Sequence, residues 1–202
     1  MTIWDEAMGR ALDAAREAGG HGDVPIGAVV LDPGGKVLAV AGNEREAASD
    51  PTAHAEVLAL RRAAEALGSW RLEGCTLVVT LEPCAMCAGA AVLARVARIV
   101  FGALDPKTGA IASLFDVVRD PRLNHRPEVT GGIRAEECGK LIRDFFGKIS
   151  GGDVSEWPME PASKAGVGQP TEGSNPSVTA KTPPSPPRAD ASHYLHPSHD
   201  CD

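Results

Sequence analysis

The sequence predicts an α/β domain in which one sheet is covered by helices on both faces. Three observations carry this. Strand-like apolar runs alternate with helix-periodic stretches along the first 146 residues, glycine and proline fall between them, and the composition changes abruptly after Phe146. The domain is therefore expected over residues 1–146. Residues 147–202 are expected to form a disordered Pro/Gly/Ser-rich tail, because they hold nine of the 16 prolines and too little apolar surface to offset the entropy of ordering.

Taken in order, Ile3 to Ala18 has the spacing of an amphipathic helix and should stop at Gly19-Gly20. Ile26 to Leu31 and Lys36 to Ala41 read as strands flanking the hairpin turn Asp32-Pro33-Gly34-Gly35. Asp50-Pro51-Thr52 is a helix-start signal, with Asp50 as cap and Pro51 in the first turn, so a helix is expected over Ala53 to Leu67, ended by Gly68. Cys75 to Leu81 is a buried-type strand. Glu82-Pro83 then starts a helix over Cys84 to Ala94, and Ala97 to Phe101 is a further strand. A long loop from Gly102 should contain a short helical piece near Leu114 to Val117. A strand at Glu128 to Thr130 precedes the last helix, Ala135 to Phe146.

Composition narrows the function. A formal charge of −7 over 202 residues argues against indiscriminate binding of nucleic acid or anionic membrane, so a polyanionic partner would have to meet a local basic patch. The acidity is not confined to the tail, since residues 1–146 hold 16 basic against 20 acidic side chains. No apolar run approaches the length of a membrane span. Asp5, Glu6 and Asp13 stand where a secretory signal would place a basic segment and an apolar run, which reads as a cytoplasmic protein. Five cysteines with one C-x-x-C pair suggest metal or free thiols, not a disulfide framework.

Two short stretches carry the chemistry: His54-Ala55-Glu56 and Pro83-Cys84-Ala85-Met86-Cys87. They supply three soft metal ligands and one carboxylate left over. A structural zinc site closes with four protein ligands, whereas a catalytic one keeps a position for water. Cys84 and Cys87 fall one helical turn apart on a single face. Residues two apart do not share a face, so His54 and Glu56 converge only if the metal lies off the helix end, with Glu56 one water further away. Both helices then aim their N-termini at one point, and the partial positive charges there favour thiolates. No fourth ligand stands out. Cys75 is about six extended residues from the metal segment, roughly 20 Å away; Cys138 reads as a small buried residue, and His125 is the best remaining donor. The order H-x-E…P-C-x-x-C is the signature already established for zinc deaminases acting on nucleobases.

The match goes further than the zinc motifs. Val24-Pro25-Ile26-Gly27-Ala28-Val29, the segment from Asp50 to Glu56, the segment from Thr80 to Ala90, Phe101 to Ala110, Asn124-His125-Arg126 and Asp144-Phe145-Phe146 together resemble the bacterial tRNA-specific adenosine deaminases, within the cytidine-deaminase-like superfamily. The resemblance runs from about Trp4 to Phe146. It implies a three-layer α/β/α sandwich around a central five-stranded sheet, one zinc ion per subunit and a homodimer. The implied reaction is hydrolysis of the wobble adenosine of a tRNA anticodon stem-loop to inosine, with release of ammonia. His54, Cys84 and Cys87 would hold zinc, and Glu56 would shuttle the proton from the zinc-activated water to the purine and the departing amine. Asn43, Asp105, Lys107 and Phe146 would contact the nucleotide; Asn43 alone reads equally as a turn residue, and Phe145-Phe146 equally as core.

Basic residues available to phosphate are Arg61, Arg62, Arg95, Arg98, Arg119, Arg122, Arg126 and Arg134. Gly147 is expected to break the last helix where family members continue into a basic segment. Gly173-Ser174-Asn175-Pro176 is what the common T-arm sequence of tRNA genes encodes when read as codons, so the frame is expected to run through a neighbouring tRNA gene. Two rival readings remain at this level. One is a deaminase of free guanine or cytosine from the same superfamily, and the other is a zinc-stabilised RNA-binding module without catalysis.

Overall fold

In the computed structural model, residues 2–149 are described. Five strands form one mixed sheet in the order β2-β1-β3-β4-β5. The strands are β1 (Gly27–Leu31), β2 (Val37–Gly42), β3 (Thr76–Leu81), β4 (Arg98–Ala103) and β5 (Glu128–Gly131). β1 pairs antiparallel with β2 and with β3, whereas β3, β4 and β5 run parallel. The helices are α1 (Ile3–Gly20), α2 (Arg45–Ala48), α3 (Ala55–Leu67), α4 (Ala85–Leu93) and α5 (Ala135–Ile149).

Alternation along the strands builds two cores. Ala28 and Val30 of β1, Leu77 and Val79 of β3, and Ile99 and Phe101 of β4 meet α3 and α4 through Ala59, Leu60, Ala88 and Ala91. On the opposite face Val29, Val78 and Val100 meet Met8 and Leu12 of α1 and Cys138 and Ile142 of α5. β1 and β3 are buried along their whole length, which explains why they read as unbroken apolar runs. α1 lies so close to β1 that a Cβ on Gly27 would overlap the Ala11 backbone.

Local chemistry fixes most boundaries. Thr2 and Asp5 form a reciprocal capping box that starts α1. The helix runs through Gly19-Gly20, where the sequence predicts a stop, and turns at Gly22, whose φ is +91°. The hairpin holds as expected: Asp32 Oδ1 accepts from Gly34 and Lys36 N–H at 2.8 Å each, and Gly35 has φ +86°. β4 extends two residues past its expected end, to Ala103.

Other expectations are corrected. Asp50 does not cap α3. Its carboxylate closes a local turn on the N–H and hydroxyl of Thr52, both 2.7 Å, and the helix begins at Ala55 with His54 as the capping residue. Cys84 likewise occupies the N-cap position of α4, which begins at Ala85, with no bond from its side chain to the helix. No helix forms over Leu114 to Val117; that segment is a bend followed by irregular backbone, and Leu114, Phe115 and Val117 donate their N–H groups to the carbonyls of Gly109 and Ala110. α2, four residues long, was not foreseen. Gly147 does not interrupt α5, which continues to Ile149. The expected tail, with its Gly173–Pro176 segment, lies from Ser150 onward outside the described residues.

Candidate metal centre and active site

The starts of α3 and α4, the helices before and after β3, deliver the three donors. His54 precedes α3 in an extended conformation (φ −75°, ψ 146°) and Cys84 precedes α4 in the same way (φ −71°, ψ 175°). Neither side chain caps its own helix, so both are directed off the helix ends. One turn into α4, Cys87 is fully buried. His54 Nδ1 lies 3.7 Å from Cys84 Sγ and 3.5 Å from Cys87 Sγ, and the two sulfurs are 3.6 Å apart. A tetrahedral zinc ion at ordinary Zn–S and Zn–N lengths sets donor–donor edges of about 3.6–3.8 Å. The triangle therefore fits such an ion. Among the described residues no other His, Cys, Asp or Glu joins this group, and His125 is spent on the Val96 carbonyl at 2.7 Å.

Electrostatics at the donors follow from their proximity. The Cys84 sulfur is held down to about 4, chiefly by the hydrogen bond it accepts from Cys87 and also by His54. The same contact pushes Cys87 up, helped by burial and by Glu56. Without a cation the pair thus shares one proton; a divalent cation favours two thiolates. His54 is raised, first by its contact with Cys84.

Glu56 sits in the first turn of α3 and is 3 % exposed. Burial pushes its carboxyl up to about 7, the charge on Cys84 adds to this, and His54 and Cys87 oppose it. Its Oε2 has no hydrogen-bond partner. Among the described residues one other buried side-chain atom shares that condition, Oδ1 of Asn43. Asn43 directly follows β2, its Nδ2 donates to buried Asp23 at 3.3 Å, and the next residue, Glu44, donates its N–H to the Ala53 carbonyl beside His54 at 2.9 Å. Two buried oxygens left unsatisfied near one metal triangle mark a place where a polar ligand belongs.

The other expected contacts lie on the loop after β4 and on α5. Asp105 is buried and its Oδ1 accepts from Lys107 and Thr108 N–H at 2.9 and 3.2 Å, so it shapes its own loop. Lys107 is exposed on that loop. Phe146 packs edge-on to Phe145, centroids 5.4 Å apart, against the core formed by α1 and α5. One residue escaped sequence reasoning. Glu82, 2 % exposed, accepts from the N–H groups of Asp105, Ile111, Ala112 and Ser113. A glutamate before Pro83 reads as a helix start, and its real partners lie more than twenty residues on.

The model of the MafB19-like deaminase family matches residues 2–150. The chain belongs to this family. The deaminase is 49% identical over 149 residues to the tRNA-specific adenosine deaminase of Bacillus subtilis, an alignment covering 74% of this chain and 92% of the relative. It is 52% identical over 147 residues to the tRNA(Ile)-lysidine synthase of Deinococcus deserti, but spans about a quarter (27%) of that longer protein. A solved structure described as a study of A-to-I editing by tRNA:A34 deaminases at the wobble position superposes with a TM-score of 0.65 at 45% identity, covering 67% of this chain and 98% of that one. The resemblance read from the motifs, and the α/β fold it implied, are borne out.

Proposed function

We propose that this deaminase hydrolyses the wobble adenosine of a tRNA anticodon stem-loop to inosine and ammonia. One observation carries the reading: an imidazole and two thiols stand at tetrahedral spacing, with no fourth donor among the described residues, beside a buried carboxyl whose free oxygen has no partner. A structural zinc site would be closed. The named relatives supply the substrate class, which the geometry alone does not.

His54, Cys84 and Cys87 would hold the metal, and zinc suits this donor set. Zinc in such a set acts as a Lewis acid that makes water nucleophilic near neutral pH. Glu56 would take one proton from the attacking water and pass it to the purine ring nitrogen, then take the proton of the added hydroxyl and give it to the amine as the C–N bond breaks. A carboxyl poised near pH 7 both accepts and donates at physiological pH. Asn43 offers its amide to the nucleotide, and Lys107 stands on the loop facing it.

The surface is not a ready-made basic patch. Arg62, Arg98, Arg119, Arg122 and Arg134 are each paired with a carboxylate at 2.5–2.8 Å. Exposed pairs of this kind are worth about 0–1 kcal/mol, so phosphates displace them at little cost. The protein acts as a cytoplasmic homodimer in this reading. Among the described residues no helix is long and apolar enough to cross a membrane.

The test is incubation with an anticodon stem-loop bearing a wobble adenosine and, separately, with free adenine, guanine and cytosine. Inosine from the stem-loop alone supports the proposal. Product from a free base alone moves the protein to small-molecule deamination, and a Glu56→Ala variant that retains metal and full activity ends the enzymatic reading.

A further inference from the structure

We propose that Glu82 is a positioning residue that locks the loop from Asp105 to Ser113 onto the metal-ligand segment, and so governs how tightly substrate is held. The proposal rests on the deaminase reading above and concerns a residue with no direct part in the chemistry.

The loop leaves β4 and folds back over Pro83-Cys84. Ala110 N–H donates to the Pro83 carbonyl at 2.9 Å, and Cys84 forms an isolated bridge with Gly109. The loop therefore forms a wall next to a metal ligand. Five further donors of the loop converge on one carboxylate. Oε2 of Glu82 accepts from Asp105 N–H at 3.0 Å and from the Ser113 hydroxyl, while Oε1 accepts from Ile111, Ala112 and Ser113 N–H at 3.2, 2.7 and 2.8 Å. Successive N–H groups turned inward in this way make an anion-binding hollow, and here the protein supplies the anion. The fit leaves no spare room, because a Cβ on Gly109 would overlap the Glu82 carboxyl. Glu82 is also anchored from behind, its own N–H donating to the Ala103 carbonyl at 2.8 Å.

A buried charge is a costly way to close a loop that only needs closing. What four N–H donors and a hydroxyl around one carboxylate deliver is a single loop conformation. That conformation sets where Lys107 stands relative to Cys84, two residues from Glu82 along the chain. The loop is thereby formed before substrate arrives, which lowers the ordering cost of binding.

The experiment compares the metal-loaded wild type with Glu82→Gln, which keeps the shape, loses one acceptor and aims an NH2 at donors. Expected are a KM for the stem-loop raised at least 10-fold, kcat within 3-fold, and unchanged metal content. Hydrogen exchange at the amides of Asp105, Ile111, Ala112 and Ser113 should accelerate at least 100-fold. A folded variant with unchanged KM overturns the proposal, as does a fall in kcat at constant KM. Should Glu82→Gln fail to fold, Ser113→Ala removes the hydroxyl contact alone, and a KM rise of about 3-fold or none decides in the same sense. A wild type inactive on the stem-loop sinks the substrate reading instead, and the amide exchange still decides the loop.

Discussion

Replacing Glu56 by Gln should make the metal-free protein more stable above neutral pH while abolishing turnover. The carboxyl moves from an ordinary 4.5 to about 7 because it is buried beside Cys84. That is a shift of roughly 2.5 units, or about 3 kcal/mol. In the unfolded chain the group loses its proton near 4.5 and in the folded protein near 7. Between those values the folded state holds a proton that the unfolded state has released, so stability falls as pH rises through the window and levels off above it. Below about pH 4.5 both states are protonated and the group contributes no pH dependence. Glutamine cannot ionise, so the variant escapes the loss. At pH 8 it should melt about 6–12 °C above the metal-free wild type, taking 2–4 °C per kcal/mol for a domain of this size; at pH 4 the two should nearly coincide. Thermal melts of chelated protein across pH 4–9 give the difference curve directly; it includes the response of His54 and Cys87, both of which feel the Glu56 charge. A stability difference that does not vary with pH, or a variant less stable at pH 8, refutes the argument. The loaded variant should retain its metal and lose activity by about 10²–10⁴-fold, the usual range for a lost acid–base group.

Cys84→Ser and Cys87→Ser should each purify with far less than one metal ion per chain, measured by elemental analysis, and with no detectable deamination. Leu77→Ala empties a fully buried position between the sheet and α3 and should cost about 2–5 kcal/mol by urea denaturation, with KM unchanged at temperatures where the variant is folded. Since phosphate must compete with paired arginines, KM for the stem-loop should rise steeply between 50 and 200 mM salt, roughly 10-fold or more; a flat response would exclude electrostatic docking.

The sheet and its covering helices were legible because Leu77, Val79, Ile99 and Phe101 are apolar at strand spacing and Ala55 to Leu67 at helical spacing. The metal triangle was legible because its residues carry distinctive chemistry at short separations. What escaped depends on which of several partners a polar group takes. Asp50 and Glu82 have the residue types of helix caps, yet Asp50 closes a turn on Thr52 and Glu82 reaches residues 105–113. Leu114 to Val117 had the composition of a helical turn, but Ser113 gives its N–H to Glu82, and Leu114 and Phe115 give theirs to the Gly109 carbonyl. Asp105 and Phe146 are named from the family resemblance; the structure adds that Asp105 is buried within its own loop and that Phe146 lies half-buried against the core of α1 and α5. Propensity cannot see that choice of partner.

The closeness of Cys84 and Cys87 also bears on handling. A half-exposed sulfur that is already ionised, 3.6 Å from its neighbour, is a ready target for peroxide or air. While a cation holds both sulfurs their electrons are engaged; once a chelator strips it, oxidation competes with reloading. Inactivation by chelation should therefore reverse fully under a reductant and only partly, or not at all, in aerated buffer.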